Sequence, residues 1–332
     1  MLHFSVIVVT HNRAELLRAT LAAIARLSFA DPWEALVVDN GSTDATKDVV
    51  TGVSKDFPVA LRYLHEPTPG KYWALNTGIR AAQGSFIAAT DDDAYPETAW
   101  LQRAAAGFTR FGCGFVGGPV YPVWGGERPR WLHERSATSG KVLGLQYHGE
   151  EPCEYGCDGV SWPLGVNVAY RRDVFDQVGL FDGRLGRVAG TLRNQSQREW
   201  HVRARAAGVR GMYLPDMAVH HSVEAERLTR RYFQRWFYWH GISRAILYQT
   251  KGLHLLEPEG SRSHEAERHV LGVPVSLWRQ AARASASAGK RWMLGRPDDA
   301  VEYELMVCFC AGVIRQRWRD RSTMQSKEAL AG

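Results

Sequence analysis

Apolar runs and helix-like segments alternate along the first 91 residues of this 332-residue chain. Short runs rich in β-branched residues have the pattern of buried strands. The segments between them carry apolar residues at intervals of three and four, as amphipathic helices do. Asn12 is expected to cap the first helix and Gly84 to close the third. This order predicts an α/β fold with a mostly parallel central sheet flanked by helices. The predicted strands are residues 4–10, 34–40, 59–66 and 85–91, and the predicted helices are residues 14–27, 41–55 and 70–84.

The pattern changes after residue 120. Residues 121–160 are rich in Gly, Pro and aromatic residues, which predicts loops around a pocket. We therefore predict a first domain over residues 1–225 and a C-terminal helical extension over residues 226–332. The later predicted elements are a strand and a helix within residues 166–182, a helix at 198–208, a strand within 209–223, a helix at 228–247, a charged linker at 255–268, and helices near 274–293 and 299–318.

Composition limits the class of protein. Hydrophobic residues make up 45% of the chain and charged residues 23%, which is ordinary for a globular protein. No apolar run reaches the ~20 residues of a membrane span. The five cysteines are an odd number without a secretory signal, which favours a reducing compartment. We expect a cytoplasmic protein, with peripheral contact at the inner face of the membrane left open.

The formal net charge of +6 is unevenly distributed. The first 120 residues are slightly acidic and the rest of the chain is basic. This arrangement suits a metal site followed by a surface that meets phosphates or anionic lipid, although a solvated basic face explains the same charges. The segment RQRWRDR near the C-terminus is basic, but no recognised nucleic-acid module accompanies it, so nucleic acid is not an expected partner.

Polar residues follow three of the predicted strands directly. They are residues 10–12, residues 39–40 and the acidic triplet 91–93. Ligands of parallel sheets gather at the carboxyl ends of the strands, so these clusters predict one crevice. The Gly-rich phosphate loop of a nucleotidyltransferase is absent after the first strand, where THNRAEL stands.

The triplet Asp91, Asp92 and Asp93 indicates a divalent metal that carries a phosphate. Mg²⁺ and Mn²⁺ take oxygen ligands and commonly bridge protein carboxylates to substrate phosphates. One imidazole of the pair His220 and His221 could complete a metal site begun by Asp93. A solvated acidic turn is the alternative. Half a zinc site at Cys153 and Cys157 is less favoured than buried thiols, because no second pair follows at suitable spacing.

The chain resembles family 2 glycosyltransferases, which have the Rossmann-like GT-A fold. The resemblance covers about residues 4–225, in the family's order. It implies transfer of a sugar from a nucleotide diphosphate donor, UDP being the commonest in the family, to an acceptor hydroxyl or amine with inversion. The acceptor could be a glycan, a lipid-linked sugar or a small molecule. The matching segments are SVIVVTHNR, LVVDNGSTD, PGKYWALNTGI, ATDDDAYP, PLGVNVAYRRDVFDQVGLFD, REWHVRARAAG and YLPDMAVHH.

The resemblance also implies roles for individual residues. The metal, Mg²⁺ or Mn²⁺, would be bound by Asp93 and His221, and it would stabilise the departing diphosphate. A carboxylate would deprotonate the acceptor. The residues implied to contact the nucleotide sugar are Thr10, Asn12, Arg13, Asp39, Lys71, Asn76, Asp91 and Asp92.

The sequence departs from the family at the expected base. Members usually carry an acidic pair where this chain has Ser196 and Gln197. Glu199 becomes the candidate base, with Asp158 or Glu154 as alternatives. Glu199 could equally stabilise the helix start, where the dipole favours acid. The departure therefore admits a second class of function, a protein that binds nucleotide sugar without transferring it.

The predicted helix at residues 228–247 interleaves aromatic and arginine side chains. Such a helix suits a bilayer interface, whereas packing on the catalytic domain with snorkelling arginines is the alternative. The segment FQRWFYW does not reproduce the Gln-x-x-Arg-Trp element of processive synthases. Addition of a single sugar is therefore favoured over polymerisation.

Overall fold

The computed structural model describes residues 3–133, 136–157, 159–187, 190–252 and 268–331. The chain divides into two compact units. The first unit comprises Met1–Gly125, Leu143–Ala189 and Ser196–Val223, and the second comprises Gly126–Val142, Gly190–Gln195 and Glu224–Gly332. Two segments that precede the predicted boundary at residue 225 thus group with the second unit. Asp158 and nearly all of the predicted charged linker lie outside the described residues.

The elements alternate as the sequence pattern predicts and continue into a helical C-terminal part. The strands, in chain order, are β1 (Phe4–Thr10), β2 (Trp33–Asp39), β3 (Ala60–His65), β4 (Phe86–Asp91), β5 (Ala94–Pro96), β6 (Phe115–Gly117), β7 (Val120–Trp124), β8 (Cys153–Glu154), β9 (Val168–Arg171), β10 (Gly211–Tyr213), β11 (Val219–Val223), β12 (His269–Val270) and β13 (Val273–Pro274). The helices are α1 (Ala14–Ile24), α2 (Thr46–Ser54), α3 (Lys71–Ala81), α4 (Trp100–Phe111), α5 (Ala137–Leu143), α6 (Val174–Val178), α7 (Ser196–Ala206), α8 (Arg230–Lys251), α9 (Val275–Met293) and α10 (Pro297–Ala331).

An eight-stranded sheet in the order β3-β2-β1-β4-β9-β6-β10-β8 forms the centre of the first unit. Strands β1 to β4 are parallel neighbours, whereas β9 runs antiparallel to both β4 and β6. Thr10 is level with Asp39, and Val9 is level with Asp91. The register therefore brings the carboxyl ends of three strands to one edge. The predicted α/β fold with a mostly parallel sheet is confirmed.

The sheet is covered by helices on both faces. Leu17 of α1, Val49 of α2 and Leu101 of α4 belong to one buried cluster, and Leu75 of α3 and Trp200 of α7 belong to another. Strand β2 is buried at every position because it packs on both sides. This double burial explains why the strand sequences are continuously apolar instead of alternating.

Two predicted helix ends are wrong. Asn12 does not cap α1; its backbone lies at φ +53°, and the Ala14 N–H donates to the Asp44 carboxylate at 3.0 Å. Helix α3 ends at Ala81, before Gly84. A Cβ at Gly84 would lie 2.5 Å from the Phe4 carbonyl carbon, so this glycine permits close backbone packing on β1.

The predicted strand within residues 209–223 is two strands in different sheets. β10 lies in the central sheet, and β11 lies between β5 and β7 in a three-stranded sheet. A turn at Pro215 and Asp216 separates them, as expected where proline removes a backbone donor. Because β11 pairs with β5, which follows the acidic triplet, His221 comes level with Ala94.

The second unit is built on α8, α9 and α10 with the β12–β13 hairpin. Its buried apolar residues include Ala245, Leu277 and Val313. α8 and α10 approach closely at glycine, because a Cβ at Gly241 would lie 2.1 Å from the Phe309 carbonyl oxygen. None of the described helices combines the length and apolarity that a membrane span requires.

The aromatic face of α8 is not a free surface. Phe233 is fully buried and Trp236 is 6% exposed. The ring of Phe233 packs edge-on against Trp131 with centroids 4.9 Å apart. These two rings thus belong to the core of the second unit, which is the packing alternative stated for this helix.

Candidate active site

The acidic triplet lies where β4 ends and a tight turn leads to β5. Asp92 and Asp93 are 5% and 3% exposed, whereas the side chain of Asp91 is 26% exposed. Buried carboxylates require compensation by hydrogen bonds or by opposite charge. The neighbouring strand and helix supply both.

Thr10 and Arg13 connect the end of β1 to the triplet. The Thr10 hydroxyl donates to Asp92 Oδ2 at 2.8 Å. Arg13 Nη1 lies 3.2 Å from Asp92 Oδ1 and 2.7 Å from Asp93 Oδ2. Burial and the neighbouring charge of Asp93 raise the pKa of Asp92 to about 6, although Arg13 and Thr10 oppose this rise. Arg13 therefore bridges two carboxylates that would otherwise repel each other.

Lys71, the first residue of α3, forms an ion pair with Asp91. The Lys71 side chain is 28% exposed, so the pair faces solvent in part. Gly70, at φ +135°, precedes it and lets the chain turn into the helix. The predicted donor residues Thr10, Arg13, Lys71, Asp91 and Asp92 thus form one connected cluster.

Asp93 and His221 lie together as the metal prediction requires. Asp93 Oδ1 is 3.2 Å from His221 Nε2, and both side chains are about 5% exposed or less. Two ligands at about 2.1 Å from one octahedral ion have donor atoms about 3 Å apart, so this spacing fits a shared Mg²⁺ or Mn²⁺. Arg13 holds the other oxygen of Asp93.

The described residues contain no cluster of three or more His, Cys, Asp or Glu side chains arranged for a metal. Asp93 and His221 would therefore bind an ion only with further oxygens from water or phosphate. This is the usual situation for Mg²⁺ beside a nucleotide. The pair fits a metal that arrives with a substrate better than a permanently bound structural metal.

The residues predicted to contact the base and ribose also hydrogen-bond to the protein itself. Asp39 Oδ1 accepts from the Ser42 N–H at 2.8 Å, and Asp39 Oδ2 accepts from the Tyr63 hydroxyl at 2.7 Å. Burial, followed by the bond to Asp39, raises the pKa of Tyr63 to about 12. Asn12 Oδ1 accepts from the Thr43 N–H at 2.7 Å. Asn12 and Asp39 thus shape the loop after β2 as well as the crevice edge.

Asn76 is placed differently from the other predicted donor residues. Its amide donates to the Phe181 carbonyl at 2.8 Å and accepts from the Phe181 N–H at 3.1 Å. Asn76 is 2% exposed. The side chain therefore fastens the segment after α6 to α3, and no described contact joins it to the acidic triplet.

Glu199, the candidate base, is 2% exposed. Its two oxygens accept from Arg203 Nε and Nη2 at 2.9 and 3.0 Å. Arg203 also donates to the carbonyls of Val178 and Leu180. The carboxylate thus orients an arginine that holds the α6 end against α7, and this geometry favours a positioning role for Glu199.

Ser196 and Gln197 occupy the positions of the family's acidic pair. The Ser196 hydroxyl donates to the Asp182 carbonyl at 2.7 Å. The Gln197 side chain lies against Gly165, where an added Cβ would be 3.2 Å from Gln197 Oε1. Glu154, the alternative base, is 35% exposed and lies 3.6 Å from Arg210. None of these contacts leads to Asp91–Asp93.

Sequence reasoning missed Asp44 and Tyr63. Asp44 caps α1 and also accepts from the Thr46 hydroxyl at 2.5 Å, which lowers the pKa of Asp44. The segment Ser42–Asp44 just before α2 is a recognisable cap signal, but that its carboxylate would cap a different helix is not visible in it. Tyr63 lies in a strand whose burial alone gives no sign of a bond to Asp39.

The central sheet and its flanking helices have the arrangement of the GT-A fold. Two solved structures share this fold with the chain. A mannosyltransferase from Pyrobaculum calidifontis, in complex with GDP-Man and Mn²⁺, matches with TM-score 0.59 and 20% identity over 96% of this chain and 87% of that one. Residues 1–349 of TarS from S. aureus match with TM-score 0.51 and 18% identity over 96% and 92%.

The sequence comparisons identify the family. The model of glycosyl transferase family 2 matches residues 5–179. AglE, a glycosyltransferase of Haloferax volcanii, is 34% identical over 61% of this chain and 62% of its own length, so the match spans about three fifths of that relative. The glucosyl-dolichyl phosphate glucuronosyltransferase of the same organism is 24% identical over 79% and 80%. The chain belongs to glycosyltransferase family 2, which confirms the predicted family and enzyme class.

Proposed function

We propose that the protein transfers one sugar from a nucleotide diphosphate donor to an acceptor hydroxyl or amine, with inversion and with a divalent metal. The carrying observation is the acidic triplet at the sheet edge, contacted by Arg13, Lys71 and His221. Carboxylates and cations that alternate in this way can hold a diphosphate and its metal together.

The donor residues act by position and charge. The base and ribose would be surrounded by Thr10, Asn12, Arg13 and Asp39. Lys71 would contact a donor phosphate once the donor has displaced Lys71 from Asp91. A bound metal would neutralise charge on the departing diphosphate. Arg13 orients Asp93 toward His221 by holding Oδ2.

UDP is the donor nucleotide that we propose, and Mg²⁺ or Mn²⁺ is the metal. The mannosyltransferase neighbour binds GDP-Man with Mn²⁺, which makes GDP the first alternative to test. Asp39 and Asn12 are both hydrogen-bonded to the protein, so these two side chains give no ground for choosing one base over another.

A lipid-linked sugar or a growing glycan is the acceptor class that we propose. The names of two relatives support it, the glucosyl-dolichyl phosphate glucuronosyltransferase and the succinoglycan biosynthesis protein ExoM of Rhizobium meliloti, which is 27% identical over 68% of this chain. Transfer to a lipid-linked acceptor would take place at the membrane surface, and we place it on the cytoplasmic face.

A second function, binding of nucleotide sugar without transfer, is favoured by the state of the acidic positions. Glu199 is engaged with Arg203, and Ser196 and Gln197 cannot accept a proton at neutral pH. The two functions share the donor site and differ only in the acceptor step.

The test of the donor site is thermal unfolding with UDP, GDP, dTDP or CDP, each with Mn²⁺ or with EDTA. A ligand at about 100 times its Kd adds about 2.7 kcal/mol to the stability of the native state, which for 332 residues corresponds to roughly 4 °C. We expect such a shift with one nucleotide and only with metal. The Asp93→Asn variant should lose the metal-dependent shift. The Asp216→Asn variant, which alters an exposed ion pair with Arg103, should keep it.

The absence of any shift with all four nucleotides would refute the proposed donor site. Release of nucleoside diphosphate from the matching donor sugar, with and without a lipid and glycan extract, separates the two functions. Acceptor-dependent release supports transfer. Binding without acceptor-dependent release supports the second function.

A further inference from the structure

The turn between α9 and α10 in the second unit presents three large apolar side chains to solvent. Trp292, Met293 and Leu294 are 54%, 84% and 61% exposed. We call these three residues the apolar tip. Single exposed apolar residues are common, but three in succession at the end of a helix hairpin form a contiguous patch.

The exposed face of α9 that leads to the tip is basic. Arg279, Arg283 and Lys290 are exposed, and their spacing places them with Met293 on one side of the helix. The opposite side carries Leu277, Ala284 and Ala288, which are buried. The sequence of α9 contains no Asp or Glu, so no carboxylate within this helix neutralises its basic face.

The charges beside the tip are mixed, because Asp299 and Glu302 of α10 are also exposed. Arg296, just beyond the tip, is exposed. Arg291 is turned away, since it stacks 4.1 Å over Tyr303. Asp298 forms an ion pair with Arg230, and Asp299 lies in the first turn of α10, where the helix dipole favours acid.

The tip is also held in place. The indole N–H of Trp292 donates to Glu304 Oε1 at 2.6 Å, which fixes the ring at the start of α10 while leaving its face half exposed. An indole with a satisfied N–H and an exposed apolar face is suited to the interfacial zone of a bilayer.

We propose that the second unit docks on an anionic lipid bilayer through α9, with the apolar tip in the headgroup region and Arg279, Arg283 and Lys290 above anionic headgroups. An amphipathic helix with a basic polar face and aromatic or aliphatic anchors has this binding mode. The proposal locates the membrane contact that a lipid-linked acceptor would require, and in that respect it rests on the proposed function.

A second copy of the chain fits this surface less well. Symmetric pairing through α9 would place the same basic stripes opposite each other, and the helix offers no acid to separate them. A bilayer supplies both the anionic charge and the apolar phase that the two parts of the surface call for.

Co-sedimentation of the full chain with vesicles tests the proposal. We expect binding to phosphatidylcholine vesicles that contain phosphatidylglycerol, and little binding to phosphatidylcholine alone. Each interfacial cation contributes about 1 kcal/mol, or about fivefold in affinity. Arg279→Gln, Arg283→Gln and Lys290→Gln together should therefore weaken binding roughly 100-fold. Met293→Ser with Leu294→Ser should also weaken binding and should reduce quenching of tryptophan by brominated lipid.

Matched controls carry the same chemical change elsewhere. Arg18→Gln, Arg26→Gln and Arg110→Gln remove three exposed charges from the first unit, and Val270→Ser with Leu271→Ser removes an exposed apolar pair at the other end of α9. Equal losses with the controls would overturn the proposal, as would no binding to anionic vesicles. A tip variant that only dissociates an oligomer would also overturn it. The nucleotide-dependent thermal shift does not involve α9, so failure here is distinguishable from failure of the donor site.

Discussion

Substitution of Glu199 by glutamine distinguishes a catalytic base from a positioning residue. The change keeps the shape of the side chain and removes its charge. In the structure the carboxylate accepts two hydrogen bonds from Arg203, at 2.9 and 3.0 Å, and is 2% exposed. Glutamine can accept only one of these bonds without presenting an N–H to the guanidinium.

The structure indicates the size of the effect on stability. Removing one partner of a buried ion pair costs about 3–5 kcal/mol. The Arg203 side chain is 32% exposed and keeps its bonds to the carbonyls of Val178 and Leu180, so water and backbone compensate in part. We therefore expect a loss of about 2–3 kcal/mol, which lowers Tm by roughly 3–4 °C for a chain of 332 residues.

The assay combines thermal unfolding with transfer activity measured well below Tm. If Glu199 only positions Arg203, the folded fraction of Glu199→Gln should transfer sugar at a rate near that of the wild type. A general base contributes about 100- to 10,000-fold to the rate. Glu154→Gln is the matched control for stability, because its partner Arg210 lies 3.6 Å away and both side chains are at least one-third exposed. It should change stability by less than about 1 kcal/mol.

An unchanged Tm with a rate loss of about 1,000-fold in Glu199→Gln would refute the positioning role and establish Glu199 as the base. Rescue separates the cases further. In the double variant with Arg203→Met, the partly buried guanidinium is also gone, so stability should recover in part if the ion pair is structural. A base would not be restored by that second change.

Two further predictions concern packing and pH. Gly84→Ala should destabilise the protein by about 1–3 kcal/mol in urea unfolding, because the new Cβ would lie 2.5 Å from backbone atoms of Phe4 and Ser5. In the control Gly52→Ala, in α2, the new Cβ meets nothing within 4 Å, so the change should be neutral or stabilising. Equal effects of the two changes would contradict the close approach at Gly84. Burial lowers the pKa of His201 to about 3 from an ordinary 6.5, so its contribution to stability is complete above pH 6.5 and falls by up to about 1.4 kcal/mol per unit as the pH drops toward 3. His201→Phe should flatten that decline between pH 6 and pH 4 while His220→Gln does not, and parallel slopes for all three proteins would contradict the assignment.

The strands of the donor half could be predicted because their signals are local. A buried parallel strand is mostly apolar on both faces, and runs of polar residues begin where it reaches the sheet edge. Ser5 of β1 and Glu34 of β2 are buried exceptions, and they hydrogen-bond to each other. Strand β1 shows this limit at Thr10 and strand β4 at Asp91. The topology then brings these ends together without further information from the side chains.

The predictions were wrong where the role of a residue is set by a contact with a distant part of the chain. Gly84 has the spacing of a helix cap, but its role is set by the backbone of Phe4 across the sheet. Pro215 ends the first strand as the sequence predicts, but the polar residues after it gave no sign of the second strand, β11. Asp44 caps α1 from the loop before α2, which no local pattern encodes.

For α8 the sequence left two alternatives open, a bilayer interface and packing on the protein, for a related reason. Aromatic residues at helical spacing predict a face, but the partner of that face is a separate question. Gly241 of α8 and Gly312 of α10 let the two helices approach closely, and each of these glycines would clash with a carbonyl oxygen of the other helix if it carried a Cβ. The partner for Glu199, in contrast, was visible in the sequence, since Arg203 lies four residues later on the same helix.

Charge at the sheet edge predicts the order in which ligands bind. Among the described residues, the cations that pair with the triplet Asp91–Asp93 are Lys71 and Arg13. A diphosphate alone would add negative charge to an edge that is not positive, and a metal alone would find only the two protein ligands Asp93 and His221. Together the metal and the diphosphate supply each other's missing partner, so their binding should be cooperative. Thermal shifts for Mn²⁺ alone and for the nucleotide with EDTA should therefore sum to much less than the shift with both, and additive shifts would mean that the metal and the nucleotide occupy independent sites.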